Sequence, residues 1–297
     1  MARYAVTALW LAGVMVCLAA NACRHDPSTV PITVEHPPPI VATVESAPAW
    51  SPDGSTIAYC RHATFLGDSS GIVLMKADGS SRRHIVDGDL PAWSPDGTEL
   101  AFVRGAQICV VNSREGTVRQ LTHACRNFYP SWSPDGRRLA FSRSTPIDSA
   151  GIWLCDAEDG GRMTRVFDHG FDPSWCPDGK RIVFSRYTGV GSYDLYVLRI
   201  DTGEVQQLTM TLEEPEVGPV WSRDGLWIVY GTKHGIGVYS VTDGTYGIIS
   251  GTWQPGLNDW QYPDLGPDSR SILYNKAYLW TVKIDGAENR PVPVAPK

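Results

Sequence analysis

Residues Gly67-Asp68-Ser69-Ser70-Gly71 carry the Gly-x-Ser-x-Gly spacing of a serine nucleophile. That chemistry needs the serine on a sharp turn between a buried strand and a helix, with its hydroxyl exposed to a base. Three other sets of residues have reactive potential. An aspartate recurs before glycine along the chain, and carboxylates of that kind bind calcium in some loops. Within the repeats, histidines stand at His62, His84, His123, His169 and His234, and the chain's cysteines are Cys17, Cys23, Cys60, Cys109, Cys125, Cys155 and Cys176. Clustered cysteine and histidine would suit zinc. Which of these chemistries is available depends on the elements that hold the residues.

Those elements are set by a repeat. Pro-Ala-Trp-Ser-Pro-Asp-Gly occupies Pro48–Gly54, and altered copies begin at Pro91, Pro130, Pro173, Pro219 and Pro263, 39 to 46 residues apart. A period of this size marks one supersecondary unit repeated, and a four-stranded propeller blade has that length. In the third copy, Ser133-Pro134-Asp135-Gly136 has the residues of a tight turn. Arg138–Ser142 alternates apolar and polar residues as a strand does. Gly151–Asp156 reads as the next strand, Asp159-Gly160 as a hairpin turn, and Thr164–Phe167 as a short last strand. The other closing turns are Asp78-Gly79, Glu115-Gly116, Thr202-Gly203, Asp243-Gly244 and Asp285-Gly286. The expected fold is all-β: a six-bladed propeller with four antiparallel strands per blade, the first strand of each innermost.

Trp-Ser-Pro-Asp-Gly, then an Ile/Leu-Ala-Phe strand, then a Leu-Tyr-Val type strand ending in Asp-x-x-Gly, resembles the TolB-like (WD40-like) propeller repeat of bacterial envelope proteins. The resemblance runs from about Pro48 to Val294. It is to the propeller alone, since the α/β domain that precedes it in TolB has no counterpart here. No partner contacts can therefore be carried over residue by residue.

The repeat disposes of most of the reactive candidates. Gly67–Gly71 falls in the loop between the second and third strands of blade 1, with no helix to follow. The turn explains the recurrent aspartates without a metal. The cysteines show no Cys-x-x-Cys spacing and no cluster with histidine. Cys109 and Cys155 sit in strands and read as small buried apolar residues. The expectation is no catalytic residue, no cofactor and no metal.

Trp50, Trp93, Trp132, Trp175 and Trp221 stand in the innermost strands, where they would pack between blades. The sixth copy lacks this Trp and has Ser269 in place of the turn glycine. Its outer strand contains Pro291 and Pro293, which suit an edge. The stretch Pro39–Val44 could instead supply or reinforce that outer strand and clasp the ring shut.

Arg3 is followed by an uncharged apolar run, Tyr4 to Ala20, and then by Ala20-Asn21-Ala22 before Cys23, which reads as a signal peptide over residues 1–22. Cys23 is then either a lipid attachment site or merely the first exported residue, the remaining alternative being an apolar run retained as an N-terminal anchor. Residues 23–46, rich in Pro and Val, read as an extended tether, and 47–297 as the propeller. The net charge of −6 at pH 7, with no basic tract, excludes nucleic acid as a partner. Contact with a membrane is expected only through an N-terminal lipid, and the location is the periplasm or cell envelope.

Two features point to recognition. Arg61, Arg104, Arg143, Arg186 and Lys276 end second strands on one face, where they either pair with loop acids or attract an anionic ligand. On the same face, the loop 210–218 carries Glu213, Glu214 and Glu216, and the loop 250–262 carries Trp253, Trp260 and Tyr262. Long loops on a rigid scaffold carry recognition, and Trp and Tyr anchor interfaces. The expected function is a non-catalytic module that binds an envelope protein or peptide. The alternative is a lyase, lactonase or glycan-processing hydrolase with its site in the central mouth.

Overall fold

The structure, a computed structural model, describes residues 43–63, 71–189, 192–211, 215–249, 262–276, 278–284 and 290–291. Each copy of the repeat forms one antiparallel sheet whose strands pair in chain order. Blade 1 comprises β1 (Thr43–Trp50), β2 (Thr56–Ala63), β3 (Gly71–Lys76) and β4 (Arg83–Val86). Blade 2 comprises β5 (Asp89–Trp93), β6 (Glu99–Arg104), β7 (Gln107–Asn112) and β8 (Val118–Gln120). Blade 3 has β9 (Arg126–Trp132), β10 (Arg138–Thr145), β11 (Gly151–Asp156) and β12 (Thr164–Asp168). Blade 4 has β13 (Gly170–Trp175), β14 (Arg181–Tyr187), β15 (Tyr193–Arg199) and β16 (Val205–Gln207). Blade 5 has β17 (Val217–Trp221), β18 (Trp227–Thr232), β19 (Gly235–Ser240) and β20 (Tyr246–Ile248). Blade 6 has β21 (Asp264–Leu265), β22 (Ser271–Lys276), β23 (Tyr278–Lys283) and β24 (Arg290–Pro291).

The Ser-Pro-Asp-Gly turn works through its side chains. The Asp carboxylate accepts the N–H two residues on, at 2.8 to 3.1 Å, in all six copies: Asp53, Asp96, Asp135, Asp178, Asp224 and Asp268. The turn serine donates to that carboxylate and accepts the N–H that opens the second strand, as Ser94 does with Asp96 and Glu99. The Ser51 hydroxyl, helped by Ser55, holds the Asp53 carboxyl down to about 2. In the worn sixth copy, Ser269 takes the left-handed conformation that glycine takes elsewhere, at φ 57°.

The core lies between blades. One cluster joins Ala58, Ile72 and Leu74 of blade 1 to Leu100, Phe102 and Val111 of blade 2. Another joins Val103 and Ile108 of blade 2 to Trp132, Leu139 and Phe141 of blade 3. The series returns to its start, where Ile57, Tyr59 and Met75 of blade 1 meet Leu273 and Leu279 of blade 6. The innermost tryptophans belong to these seams, as their spacing predicts.

Each tryptophan is also latched to the preceding blade, in one of two ways. Where that blade offers alanine, the indole N–H donates to its carbonyl: Trp93 to Ala49 (3.1 Å) and Trp132 to Ala92 (3.0 Å). Where it offers a polar side chain, the tryptophan's backbone N–H donates instead: Trp175 to Ser131 (3.2 Å), Trp221 to Ser174 (3.3 Å) and Trp50 to Asp264 (2.6 Å). The indole N–H groups of Trp50, Trp175 and Trp221 have no partner. Five of the six seams thus keep such a hydrogen bond at the hub, made by whichever group the neighbour can serve.

Of the stretch proposed as a clasp, residues 39–42 lie outside the described residues, and residues 43 and 44 are placed otherwise. Thr43 and Val44 pair with Ala63 and His62 inside blade 1, so they are inner strand rather than tether or clasp. The fourth strand of blade 6 is its own β24, where Pro291 pairs with Trp280. The seam is closed by side chains. Asp264 receives the Trp50 N–H. Arg223, which stands in blade 5 where blades 1 to 4 have the turn proline, reaches past blade 6 and donates to the carbonyls of Pro52 and Ser51 in blade 1.

Replacing Asp264 with alanine leaves the Trp50 N–H without an acceptor at this seam. The variant is expected to lose about 1–3 kcal/mol in urea unfolding at pH 5, where the carboxyl carries no ionisation cost, the range for a buried donor left unsatisfied. Asp264→Asn, which keeps an acceptor, should lose less than Asp264→Ala. An alanine variant within 0.5 kcal/mol of wild type, taken as about the scatter of neutral surface substitutions, would contradict this closure.

Candidate functional site

The inner strands of blades 1 to 5 break register at the repeat proline. In blades 1 to 5 the two residues 47–48, 90–91, 129–130, 172–173 and 218–219 bulge out of the ladder. Proline has no N–H to give a ladder, so the bulge falls where that donor is missing. The residue before it takes positive φ: Ala47 45°, Leu90 56°, Tyr129 55°, Asp172 52° and Gly218 56°. For the four non-glycine residues this costs about 1–2 kcal/mol each, which the fold sustains around the axis.

These bulges, with Tyr262 at the corresponding place in blade 6, line a central cavity of about 430 Å³. The wall above them is the ring of tryptophans, and the rim is formed by Pro52, Pro95, Pro134, Pro177 and Arg223 of the first turns. Tyr129 and Tyr262 come from blades 3 and 6, which face each other across the axis. Their rings stack with centroids 5.5 Å apart, and their hydroxyls hydrogen-bond at 2.9 Å. The pair forms a floor, so the cavity is a cup that opens on the Ser-Pro-Asp-Gly face. Gly218 makes the floor possible: a Cβ there would lie 2.5 Å from the Tyr262 ring.

The polar groups of the cup are committed to the frame. Asp172 accepts the Gly218 N–H at 3.0 Å, and its own N–H donates to Ser142 Oγ at 2.8 Å. Burial pushes the Asp172 carboxyl up to about 6. Asp264, the other carboxylate of the lining, is likewise pushed up to about 6 by burial, against the N–H groups of Trp50 and Leu265 that favour its charge. Burial raises Tyr129 to about 12 and raises Tyr262 as well, with Asp172 adding to both. Among the described residues, no histidine or cysteine lines the cup.

Among the described residues, the recognition candidates named from the sequence lie elsewhere, with one exception. Tyr262 is the exception, and it serves as the floor of the cup rather than as part of an exposed loop. Glu213, Glu214, Trp253 and Trp260 lie outside the described residues, as do Cys23 and residues 67–70 of the serine pattern. Gly71 opens the strand β3, not a helix. Glu216 is buried, accepts from the Thr209 hydroxyl, and is pushed up to about 7 by that burial.

Arg61, Arg104, Arg143, Arg186 and Lys276 lie at the far ends of second strands, and none of the four arginines lines the cup. Arg143 is buried, donates to Asn127 Oδ1 at 3.0 Å and lies 4.0 Å from the Trp153 ring centre. Arg104 lies over Phe102, and Arg186 over Phe167 and Tyr196. Cation–π stacking on rings of their own seams thus holds three of the five. The described cysteines Cys60, Cys109, Cys125, Cys155 and Cys176 are all free thiols, and Cys109 and Cys155 are buried as expected. The fold also brings Cys60, His62 and Asp89 together, a cluster that sequence spacing did not reveal.

Comparison with known proteins agrees with this architecture. The TolB beta propeller domain profile matches residues 41–166 and 75–296. TolB from Acinetobacter baumannii superposes with a TM-score of 0.61 at 20% identity, over 86% of this chain and 67% of that one. A gluconolactonase from Xanthomonas campestris gives 0.62 at 16% identity, over 81% and 85%. An oligogalacturonate lyase from Vibrio parahaemolyticus gives 0.53 at 13% identity, over 87% and 93%. At these identities the likeness is one of fold. No curated protein matches the sequence.

The raised carboxyls set a pH dependence. Asp172, Asp264 and Glu216 bind protons more tightly in the folded state than the usual carboxylate near 4. The folded state therefore holds more protons between about pH 4 and 7, and stability falls as pH rises through that window. The melting temperature should be at least about 4 °C higher at pH 5 than at pH 8. Asp172→Asn should flatten the dependence. A melting temperature that rises from pH 5 to pH 8 would show that these groups are ionised at no cost.

Proposed function

The chain belongs to the TolB β-propeller family, and on that footing we propose that it is an exported, lipid-anchored, non-catalytic module that binds a protein or peptide of the cell envelope. One observation carries this reading. Each titratable group of the cup is already bonded to the frame: Asp264 to Trp50, Asp172 to Gly218, Tyr129 to Tyr262, and Arg223 to two carbonyls. A general acid or base must instead be free to meet a substrate proton. What the cup offers a visitor is a rigid apolar wall of Trp and Pro and a volume suited to a few side chains. A short segment of a partner fits such a site, with the loops that carry Trp253, Trp260, Glu213 and Glu214 as a second contact surface on the opposite face.

The test is a pull-down from envelope membranes with the tagged full-length chain and two folded variants. Ala92→Phe fills the cup, and a Trp253→Ala, Trp260→Ala double variant strips the loops. Loss of an interface anchor is expected to cost about 2 kcal/mol or more, roughly thirtyfold in affinity. Loss of the partner with Ala92→Phe supports the cup, and loss with the double variant supports the loops. Full retention by both overturns the reading. So does turnover of a lactone or glycan substrate that Asp172→Asn abolishes, which would favour the lyase or hydrolase alternative.

Anchoring has its own test. Wild type should enter the detergent phase on partitioning, and Cys23→Ser should stay aqueous. If both stay aqueous, and the N-terminus carries no lipid mass, the chain is exported without an anchor. Among the described residues, no helix is long and apolar enough to cross a membrane.

A further inference from the structure

At the seam between blades 1 and 2, outside the cup, three side chains with metal-ligand chemistry converge. Cys60 and His62 are two apart on β2 and therefore leave the strand on the same face. Asp89 is the first residue of β5 in the next blade. One donor atom from each lies within 4.8 Å of the other two, and His62 Nε2 is 3.7 Å from Asp89 Oδ1. Cys60 is buried, whereas the His62 and Asp89 side chains are 47% and 55% exposed.

The fold itself does not call for these residue types. Cys60 Sγ accepts the N–H of Leu90, the bulge residue of the next blade, at 3.1 Å. In blade 3, Ser142 does the same for the Asp172 N–H. The places equivalent to Cys60 hold Val103, Ser142, Ser185, Gly231 and Asn275. Those equivalent to Asp89 hold Ser46, Phe128, Phe171, Val217 and Gln261. A thiol, an imidazole and a carboxylate occur together at this seam only.

We propose that Cys60, His62 and Asp89 form a zinc site with three protein ligands and a fourth position open to solvent. Sulfur, nitrogen and oxygen donors together suit zinc rather than calcium or magnesium, which take oxygen ligands. With Zn–S near 2.3 Å and Zn–N and Zn–O near 2.0 Å, neighbouring donors in a tetrahedral site stand about 3.3–3.5 Å apart. The His62–Asp89 pair is close to that spacing, and the contraction that remains falls to these two half-exposed side chains. The anchored member is the buried cysteine. Coordination breaks the thiol S–H bond and forms S–Zn, with the proton passing to water. The contact of His62 Nε2 with Ser46 Oγ, at 3.1 Å, gives way to the metal. Thiolate and carboxylate together balance the two charges of the ion. Because the ligands come from two blades, bound zinc also joins β2 to β5 and stabilises the folded chain.

The test uses chelator-stripped full-length protein, titrated with Zn²⁺ against a chromophoric chelator and separately with Co²⁺. Wild type should take up one zinc ion per chain, melt at a higher temperature with zinc, and give a sulfur-to-cobalt charge-transfer band. Cys60→Ser should fold, since serine occupies this place in blades 3 and 4, but lose the band. His62→Ala and Asp89→Asn should bind zinc at least about 100-fold more weakly, because even supporting residues of metal sites cost 10–100-fold. Cys176→Ser should keep both the band and the affinity. Folded wild type that takes up no zinc overturns the proposal. Stoichiometric binding that survives both Cys60→Ser and His62→Ala overturns it too, by placing the metal elsewhere.

Discussion

A ring of blades holds only if its last seam is as good as the others, and here that seam rests on one carboxylate. Asp264 takes the place of the alanine or serine that starts the latch elsewhere, and it receives the Trp50 N–H at 2.6 Å. The apolar contact at this seam, between Ile57, Tyr59 and Met75 and the pair Leu273 and Leu279, supplies the area. The hydrogen bond fixes the register of the hub. Burial of apolar surface is non-directional, so directional bonds are needed to define where β1 stands against β21. Arg223 adds a second crossing, from blade 5 to blade 1. A worn last blade without its tryptophan is thereby tied to blade 1, and the Asp224 N–H donates to Ser269 Oγ to tie it to blade 5.

The same hub shapes the site. In blades 1 to 5 the inner-strand proline falls at a bulge, the residue before each of the six repeat prolines lines the axis, and the residue types chosen there decide what the channel is. Alanine and glycine leave room, leucine adds apolar wall, and two tyrosines meet across the axis to make a floor. Asp172 stands beside that floor, with its charge discouraged by burial. The group that closes the ring and the groups that line the cup are therefore of one kind: polar side chains spent on the frame.

The six blades were legible because the turn is encoded locally: Ser, Pro, Asp and Gly each satisfy a need of the same few bonds. The interblade tryptophans were legible for a similar reason, being large apolar residues at one fixed place in a period. Thr43 and Val44 were assigned to a clasp because Pro291 reads as a strand breaker, yet an outer edge strand tolerates it opposite Trp280. The cup was not legible, since the pairing of Tyr129 with Tyr262 joins residues from opposite sides of a closed ring. One signal was available: the residue before each repeat proline is Ala, Leu, Tyr, Asp, Gly and Tyr in turn, a position that varies while its neighbours repeat. The cluster of Cys60, His62 and Asp89 was hidden because its members belong to two blades. The Cys-x-His pair on one strand face was its only trace.

The central claim is that side chains, rather than an exchanged strand, close the ring. Amide hydrogen exchange in wild type and in an Arg223→Ala, Asp264→Ala double variant tests this most directly, since exchange reports the opening of each blade separately. Faster exchange confined to β1 and β21, with β9 and β13 unchanged, is the predicted result. Exchange that is unchanged at β1 and β21, or that accelerates equally around the ring, would contradict it.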